Sequence, residues 1–272
     1  MIYGPDEGLL SVRLAGLRLH RPREAGRELF LEPDGLEGWD DGVDMRRDAV
    51  QVPQAHGAFD TPGYRDARNV VVHGRAWAAT PRRLAELRAA VVGCLSDGGA
   101  GLLEVETAEE GKLSASVRLS AKPVWRRRGP VDAEWSLQLW AADPRKFGPA
   151  RRFRVVVDES PVQAQDGVLL WHAGNAEGTP ELVLRGDFPA GYRVHGPGGA
   201  RFTVTEPLRP GQVHELDFGH GLLRVDGRFV MGKVTEAGVW TVPAGAEVPV
   251  RLERFGARGT GAADIRVKDT YI

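Results

Sequence analysis

Cysteine is nearly absent. Cys94 alone among 272 residues removes internal disulfides and cysteine-based metal centres from consideration, and its place in a helical pattern suits a small buried apolar side chain. Charge of one sign is lacking too. The 36 Lys and Arg stand against 37 Asp and Glu, with each half of the chain near balance, which disfavours nucleic acid or another polyelectrolyte as a partner. No apolar run approaches the length of a bilayer span, and no N-terminal segment joins basic residues to an apolar stretch. A soluble protein, without a membrane partner or a classical secretion signal and compatible with assembly inside the cell, is therefore expected. Catalytic and cofactor signatures are missing as well: there is no Gly-x-Ser-x-Gly, P-loop, dinucleotide fingerprint or His-x-x-x-His helix, and the seven histidines are scattered. No enzyme activity, cofactor or metal is expected.

What is present divides around residues 133–147, Ala-Glu-Trp-Ser-Leu-Gln-Leu-Trp-Ala-Ala-Asp-Pro-Arg-Lys-Phe. As far as Ala141 this stretch alternates as a half-buried strand does, with Val131, Ala133, Trp135, Leu137, Leu139 and Ala141 on one face. Asp143-Pro144 then ends it, because proline has no N–H for a ladder and pushes the residue before it out of many conformations. A new β-rich pattern is expected from Phe153. The chain is long enough for two cores, predicted in domains at residues 1–148 and 152–272.

In the first half, residues 9–19 read as a strand interrupted at Gly16. Residues 32–68 hold the turn signals Pro33-Asp34-Gly35, Asp41-Gly42 and Thr61-Pro62-Gly63. They predict a long excursion that reaches a neighbouring subunit or lies as short edge strands over its own sheet. Residues 69–78 alternate as a strand. Thr80 then supplies an N-cap and Pro81 the first helical position, and Leu84, Leu87, Val91 and Leu95 recur on one face of a helix at about 81–97, ended by Gly98-Gly99. Residues 102–105 and 113–125 pair about Glu109-Glu110-Gly111. The first half is thus α+β: an antiparallel sheet with one packed helix, in the order β-β-α-β-β-β.

Past Phe153 helical periodicity disappears. Short apolar runs at 155–157, 168–171, 182–184, 192–194, 202–204, 213–218, 222–225, 229–231, 239–242, 248–252 and 265–267 alternate with Gly and Pro turns, the spacing of a β-sandwich. Asp226-Gly227 is the dipeptide of a two-residue type I′ hairpin. The fold class expected for the whole chain is mainly β.

Candidate sites have bland readings beside them. Asp40, Asp41 and Asp44 lack the Glu that a calcium loop needs and read as a solvated loop. Arg126-Arg127-Arg128 reads as an exposed hairpin end, and His56 as a loop hydrogen-bonding residue. No carboxylate pair stands out for glycoside hydrolysis. Trp171, Tyr192 and Trp240 would stack on sugars if exposed, but sandwich cores use the same residues; Trp171 and Trp240 are kept as candidate glycan contacts.

Several stretches together resemble the distal tail proteins of long-tailed bacteriophages, in particular the minor tail proteins of phages of actinobacteria. In the first half these are Gly38-Trp39-Asp40-Asp41, Pro53-Gln54-Ala55-His56-Gly57-Ala58-Phe59, Pro62-Gly63-Tyr64, residues 68–74 before Thr80-Pro81, and residues 135–147 with Ala142-Asp143-Pro144. In the second half, His172-Ala173-Gly174-Asn175-Ala176 before Thr179-Pro180 is similar to an Asn-x-Gly-x-Ala loop of the family, with His172 where the family has Asn. Residues 240–251, with Ala244-Gly245, are similar to an element near the end of its galectin-like domain. The resemblance implies a non-catalytic virion protein. It implies a homohexameric ring formed by the first domain at the tail tip, a galectin-like β-sandwich projecting outwards, and as partners the tail tube protein and fibre or receptor-binding proteins. Assembly would take place in the host cytoplasm.

A carbohydrate-binding module that grips cell-wall glycan is the competing reading, distinguished by exposed aromatic residues. A cell-wall hydrolase would need a catalytic constellation that the sequence does not display.

Overall fold

The computed structural model describes residues 8–20, 28–158, 167–256 and 258–272. The remaining parts of the predicted ranges 1–148 and 152–272, and the side chains of Leu9 and Leu10, lie outside the described residues. The chain forms two compact units, Met1–Lys146 with Ile272, and Phe147–Tyr271. It is mainly β, with several antiparallel sheets and, among the described residues, a single packed α-helix.

The first unit opens with β1 (Leu9–Leu14) and β2 (Leu17–Leu19), which pair antiparallel with Leu14 opposite Leu17. The strand expected over residues 9–19 is therefore a hairpin. Ala15 and Gly16 both take positive φ, 45° and 89°, as a two-residue turn between right-twisted strands requires. Next come β3 (Leu29–Glu37), β4 (Met45–Arg46), β5 (Tyr64–Arg65), β6 (Arg68–Trp77) and α1 (Pro81–Val92). They are followed by β7 (Gly101–Thr107), β8 (Gly111–Leu119), β9 (Val124–Arg127) and β10 (Asp132–Ala141). This is richer in strands than the expected order.

Pairing runs β2-β1-β7-β8-β10-β6-β3, with β9 sharing with β8 one edge of β10. A bridge from His20 to Phe30 returns β3 to the end of β2, so the strands curl around a common interior. Alternation fills that interior: Val70, Val72 and Ala76 from β6 meet Ala133, Trp135, Leu137 and Leu139 from β10, all buried. The expected strand at 113–125 is divided into β8 and β9 at Ser120–Pro123, where Pro123 supplies no ladder N–H.

Thr80 caps α1 as expected, its hydroxyl accepting from the Arg83 N–H at 3.2 Å, and Leu84, Leu87 and Val91 are buried. The helix ends at Val92, short of the expected 97. Gly93, a poor helix former, begins a turn in which Leu95 adopts φ 53° and Cys94 is the residue that goes inside.

The second unit is entered through β11 (Lys146–Val157), so the new strand begins well before Phe153. The chain turns at Asp143-Pro144 and at once resumes extended structure. The unit continues with β12 (Val168–Leu170), β13 (Glu181–Asp187), β14 (Tyr192–His195), β15 (Arg201–Val204), β16 (His214–Asp217) and β17 (Leu222–Val225). It ends with β18 (Arg228–Val230), β19 (Val234–Ala237), β20 (Val248–Arg254) and β21 (Thr260–Tyr271). One antiparallel run is β18-β17-β16-β13-β21 and another is β12-β20-β14-β15-β19. Inward residues of both, including Leu182, Leu216 and Ile265 from the first and Val194, Phe202 and Leu252 from the second, join one apolar cluster.

Asp226 and Gly227 have φ of 49° and 77° and close the β17–β18 hairpin as their type demands. The run expected at 239–242 is not a strand. The strand in this region is β19, and Gly238 follows it so close to β15 that a Cβ would lie 2.7 Å from the Arg201 carbonyl oxygen. Trp240 then turns inward, and Val242 forms only an isolated bridge to Gly178.

Candidate functional site

The most elaborate polar construction in the first unit surrounds Arg68. As the first residue of β6 it occupies an inward position, continuous with Val70 and Val72, and only 1% of it is exposed. Its Nη1 donates to the carbonyl oxygens of Gly38, Trp39 and Asp41 at 2.8, 3.0 and 2.9 Å, and its Nε to that of Pro144 at 2.9 Å. Lys146 adds a donation to the Trp39 carbonyl at 3.0 Å, with its ammonium 5.4 Å from the centre of the Trp39 ring. Burial pulls both cations below their ordinary pKa values; the Asp40 and Asp41 carboxylates oppose this at Arg68, and proximity to Arg68 adds to it at Lys146. Gly38 is required where it stands: φ is 78°, and a Cβ would lie 2.2 Å from the Asn69 carbonyl oxygen.

Three separate stretches of sequence, 38–41, 68 and 144–146, thus meet at one point. Two buried cations gather backbone carbonyls that a loop would otherwise leave without donors. Neither Arg68 nor Lys146 was singled out by motif. The available signal was an arginine at a core-facing position of an alternating strand, which is rare unless it is paired; here Nε and Nη1 are engaged and the buried Nη2 makes no hydrogen bond.

This clamp roots an arm. From residue 38 the chain leaves β3 and returns only at Arg68, through the two-residue ladder of β4 and β5, in which Met45 pairs with Arg65 and Arg46 with Tyr64. Further out, Phe59 N–H donates to the Val50 carbonyl at 2.9 Å and Val52 N–H to that of Gly57 at 3.1 Å. The legs therefore pair along much of their length. Yet Met45, Val50, Phe59 and Tyr64 are all more than half exposed in the isolated chain. Ladder bonds hold the arm, and its apolar side chains have no core to enter. Asp40, Asp41 and Asp44 are exposed beside its root, and His56 is exposed near its tip.

In the second unit the two candidate glycan contacts separate. Trp240 is buried, edge-on to Phe218 with ring centres 5.0 Å apart, and a Cβ on Gly196 would lie 2.3 Å from its indole nitrogen. Tyr192 is buried too, its hydroxyl 3.0 Å from His214 Nδ1. Trp171 is 42% exposed, and the Arg151 guanidinium stacks over it at 3.9 Å from the ring centre. Arg151 is itself fixed by a two-pronged pair with Asp269 at 2.7 and 3.1 Å, and Asp269 also accepts from the Ala173 N–H. Close by in sequence, the buried His172 accepts from the Gly174 N–H through Nδ1 at 3.0 Å and donates through Nε2 to the Val242 carbonyl at 3.0 Å. With the proton on Nε2, the ring offers one acceptor and one donor, as an asparagine amide does.

Among the described residues, one group has side-chain donors close enough to share a metal ion: Asp34, Glu37 and His73. Arg126 is not one of these donors but lines the same cleft, of about 330 Å³, as Glu37 and His73.

No protein-family model matches the sequence, and no curated protein matches it. Solved structures do. The Dit protein of phage SPP1, described as a paradigm of the hub adsorption apparatus in phages infecting Gram-positive bacteria, superposes over 96% of this chain and 99% of its own with a TM-score of 0.68 at 11% identity. The baseplate of phage P2 in its activated conformation, solved with Ca and with Sr, matches over 84% of this chain and 87% of the other, with a TM-score of 0.47 at 8% identity. Over 96% of its length the chain therefore shares the fold of the SPP1 Dit protein.

Proposed function

We propose that the chain is a non-catalytic distal tail protein of a long-tailed phage, placed at the tail tip as a hub between the tail tube and the fibre or receptor-binding proteins. The observation that carries this reading is the clamped arm with exposed apolar side chains along its legs, on a fold shared over 96% of the chain with the SPP1 Dit protein. In this reading residues 1–148 build a homohexameric ring. The arm covers Met45, Val50, Phe59 and Tyr64 against a neighbouring copy or the tube, and six equal heterologous contacts close the ring. Residues 152–272 form a galectin-like β-sandwich directed outwards. The resemblance to tail proteins of actinobacterial phages suggests such a host, in whose cytoplasm the particle is assembled.

Electron microscopy and light scattering on the full chain test this, beside a variant with Val50, Phe59 and Tyr64 all changed to Ser. Rings in the parent and monomers in the variant are expected. A parent that stays monomeric even when mixed with purified tail tubes refutes the hub reading; monomer alone does not, since template binding shifts assembly by mass action.

Exposure of Trp171 favours one secondary role, a weak glycan contact by the outer domain. Its accessible face is limited by Arg151, so useful binding would depend on several copies acting together. Retention of assembled rings on purified cell walls, lost on Trp171→Ala, is the measurement that supports it.

A further inference from the structure

The Asp34–Glu37–His73 group sits beside the root of the arm and brings two carboxylates and an imidazole to one point. β3 bulges out of register with β6 between Leu31 and Leu36. Gly35 lets the bulge lie against β6, since a Cβ there would come within 2.4 Å of the His73 carbonyl oxygen. The result lays the bulge over the His73 ring. Nε2 of His73 has the Glu37 Oε1 at 3.1 Å, the Asp34 carbonyl oxygen at 3.1 Å and the Asp34 Oδ1 at 3.8 Å. One nitrogen with at most one proton thus faces three oxygens, two of them from carboxylates.

The two 3.1 Å separations are hydrogen-bond lengths, and the same spacing admits a shared cation. Bonds of about 2.0–2.1 Å from a tetrahedral zinc ion place neighbouring donors roughly 3.3 Å apart. The two separations from His73 Nε2, 3.1 Å to Glu37 Oε1 and 3.8 Å to Asp34 Oδ1, lie on either side of that value, and all three side-chain donors lie within 4.8 Å of one another. An imidazole among carboxylates selects a transition metal over calcium or magnesium, which prefer oxygen-only shells. Arg75 does not fill the place, since it reaches Glu32 at 3.8 Å and Asp132 at 3.9 Å. The side chains of Asp34 and Glu37 are 79% and 58% exposed, so water can complete the shell.

We propose that Asp34, Glu37 and His73 bind a divalent transition-metal ion of the zinc type, through Asp34 Oδ1, Glu37 Oε1 and His73 Nε2. Binding releases any proton on Nε2 to solvent. Because Glu37 directly precedes the arm and His73 lies on the strand that follows it, the ion ties both legs together at their base. This was invisible to sequence spacing, in which His73 is distant from the two acids. It stands apart from the hub reading and survives that reading's failure.

The test is titration of the metal-free full chain with zinc chloride by calorimetry, with magnesium chloride as the comparison and an Asp34→Asn, Glu37→Gln double variant beside the parent. All three side chains are at least partly exposed, so the variant is expected to fold, and circular dichroism checks it. One zinc per chain is expected in the parent, with affinity at least about tenfold weaker in the variant, because loss of an outer partner alone costs that much. Tryptic cleavage after Arg46, Arg47 and Arg65 should slow with zinc in the parent only. Absent binding, or zinc affinity and cleavage protection unchanged in the variant, overturns the proposal.

Discussion

Replacing Arg68 by Met removes the clamp at the arm's root while keeping most of the side chain's volume. The guanidinium makes four donations, but the two Nη1 protons are shared by three carbonyls, so the loss is nearer three full bonds than four. At about 1 kcal/mol net per bond this comes to about 3 kcal/mol. Two corrections oppose each other. The Trp39 carbonyl keeps its donor in Lys146, which lowers the cost, while the buried carbonyl environment loses a charge-assisted partner, which raises it. Urea unfolding of the full chain measures the change. Arg68→Lys is the informative companion, because a single ammonium cannot span the Pro144 carbonyl on one side and those of Gly38 and Asp41 on the other. The lysine variant should lose roughly half as much, and arm cleavage by trypsin should accelerate in both. Destabilisation of Arg68→Met by less than about 1 kcal/mol, with arm cleavage unchanged, would refute the reasoning.

Two further outcomes follow from the second unit. Gly196→Ala should displace the Trp240 indole, which would face a Cβ at 2.3 Å; about 2 kcal/mol of destabilisation and a red-shifted tryptophan emission are expected. Burial holds the His214 pKa below its ordinary value, with the Glu206 and Asp226 charges acting against the shift. The unfolded chain therefore takes up this proton more readily. The stability contribution is full above about pH 6.5 and falls as pH is lowered below it. Denaturation midpoints across that range should show a fall in the parent that is reduced in His214→Gln, and equal slopes would exclude His214 as a source.

Alternation and turn chemistry made most strands legible in sequence, because a strand with one buried face must repeat every second residue whatever it packs against. Residues 68–77 and 132–141 are of this kind, and so is the Asp226-Gly227 turn, where the dipeptide itself specifies the backbone. The Thr80-Pro81 start of the helix was equally local, but its end was not. Leu95 has the helical spacing, and only its surroundings show that the chain has already turned at Gly93.

The sequence by itself determined a mainly β chain with one capped helix, a long excursion after the first strands and no local motif for catalysis. These follow from interactions between residues close in the chain. Tertiary structure alone decided that Arg68 and Lys146 share the carbonyls of residues 38–41, that Trp240 goes inside while Trp171 stays out, and that His73 meets Asp34 and Glu37. Each depends on groups far apart in sequence, and spacing along a chain carries no distance information once the strands between them have paired.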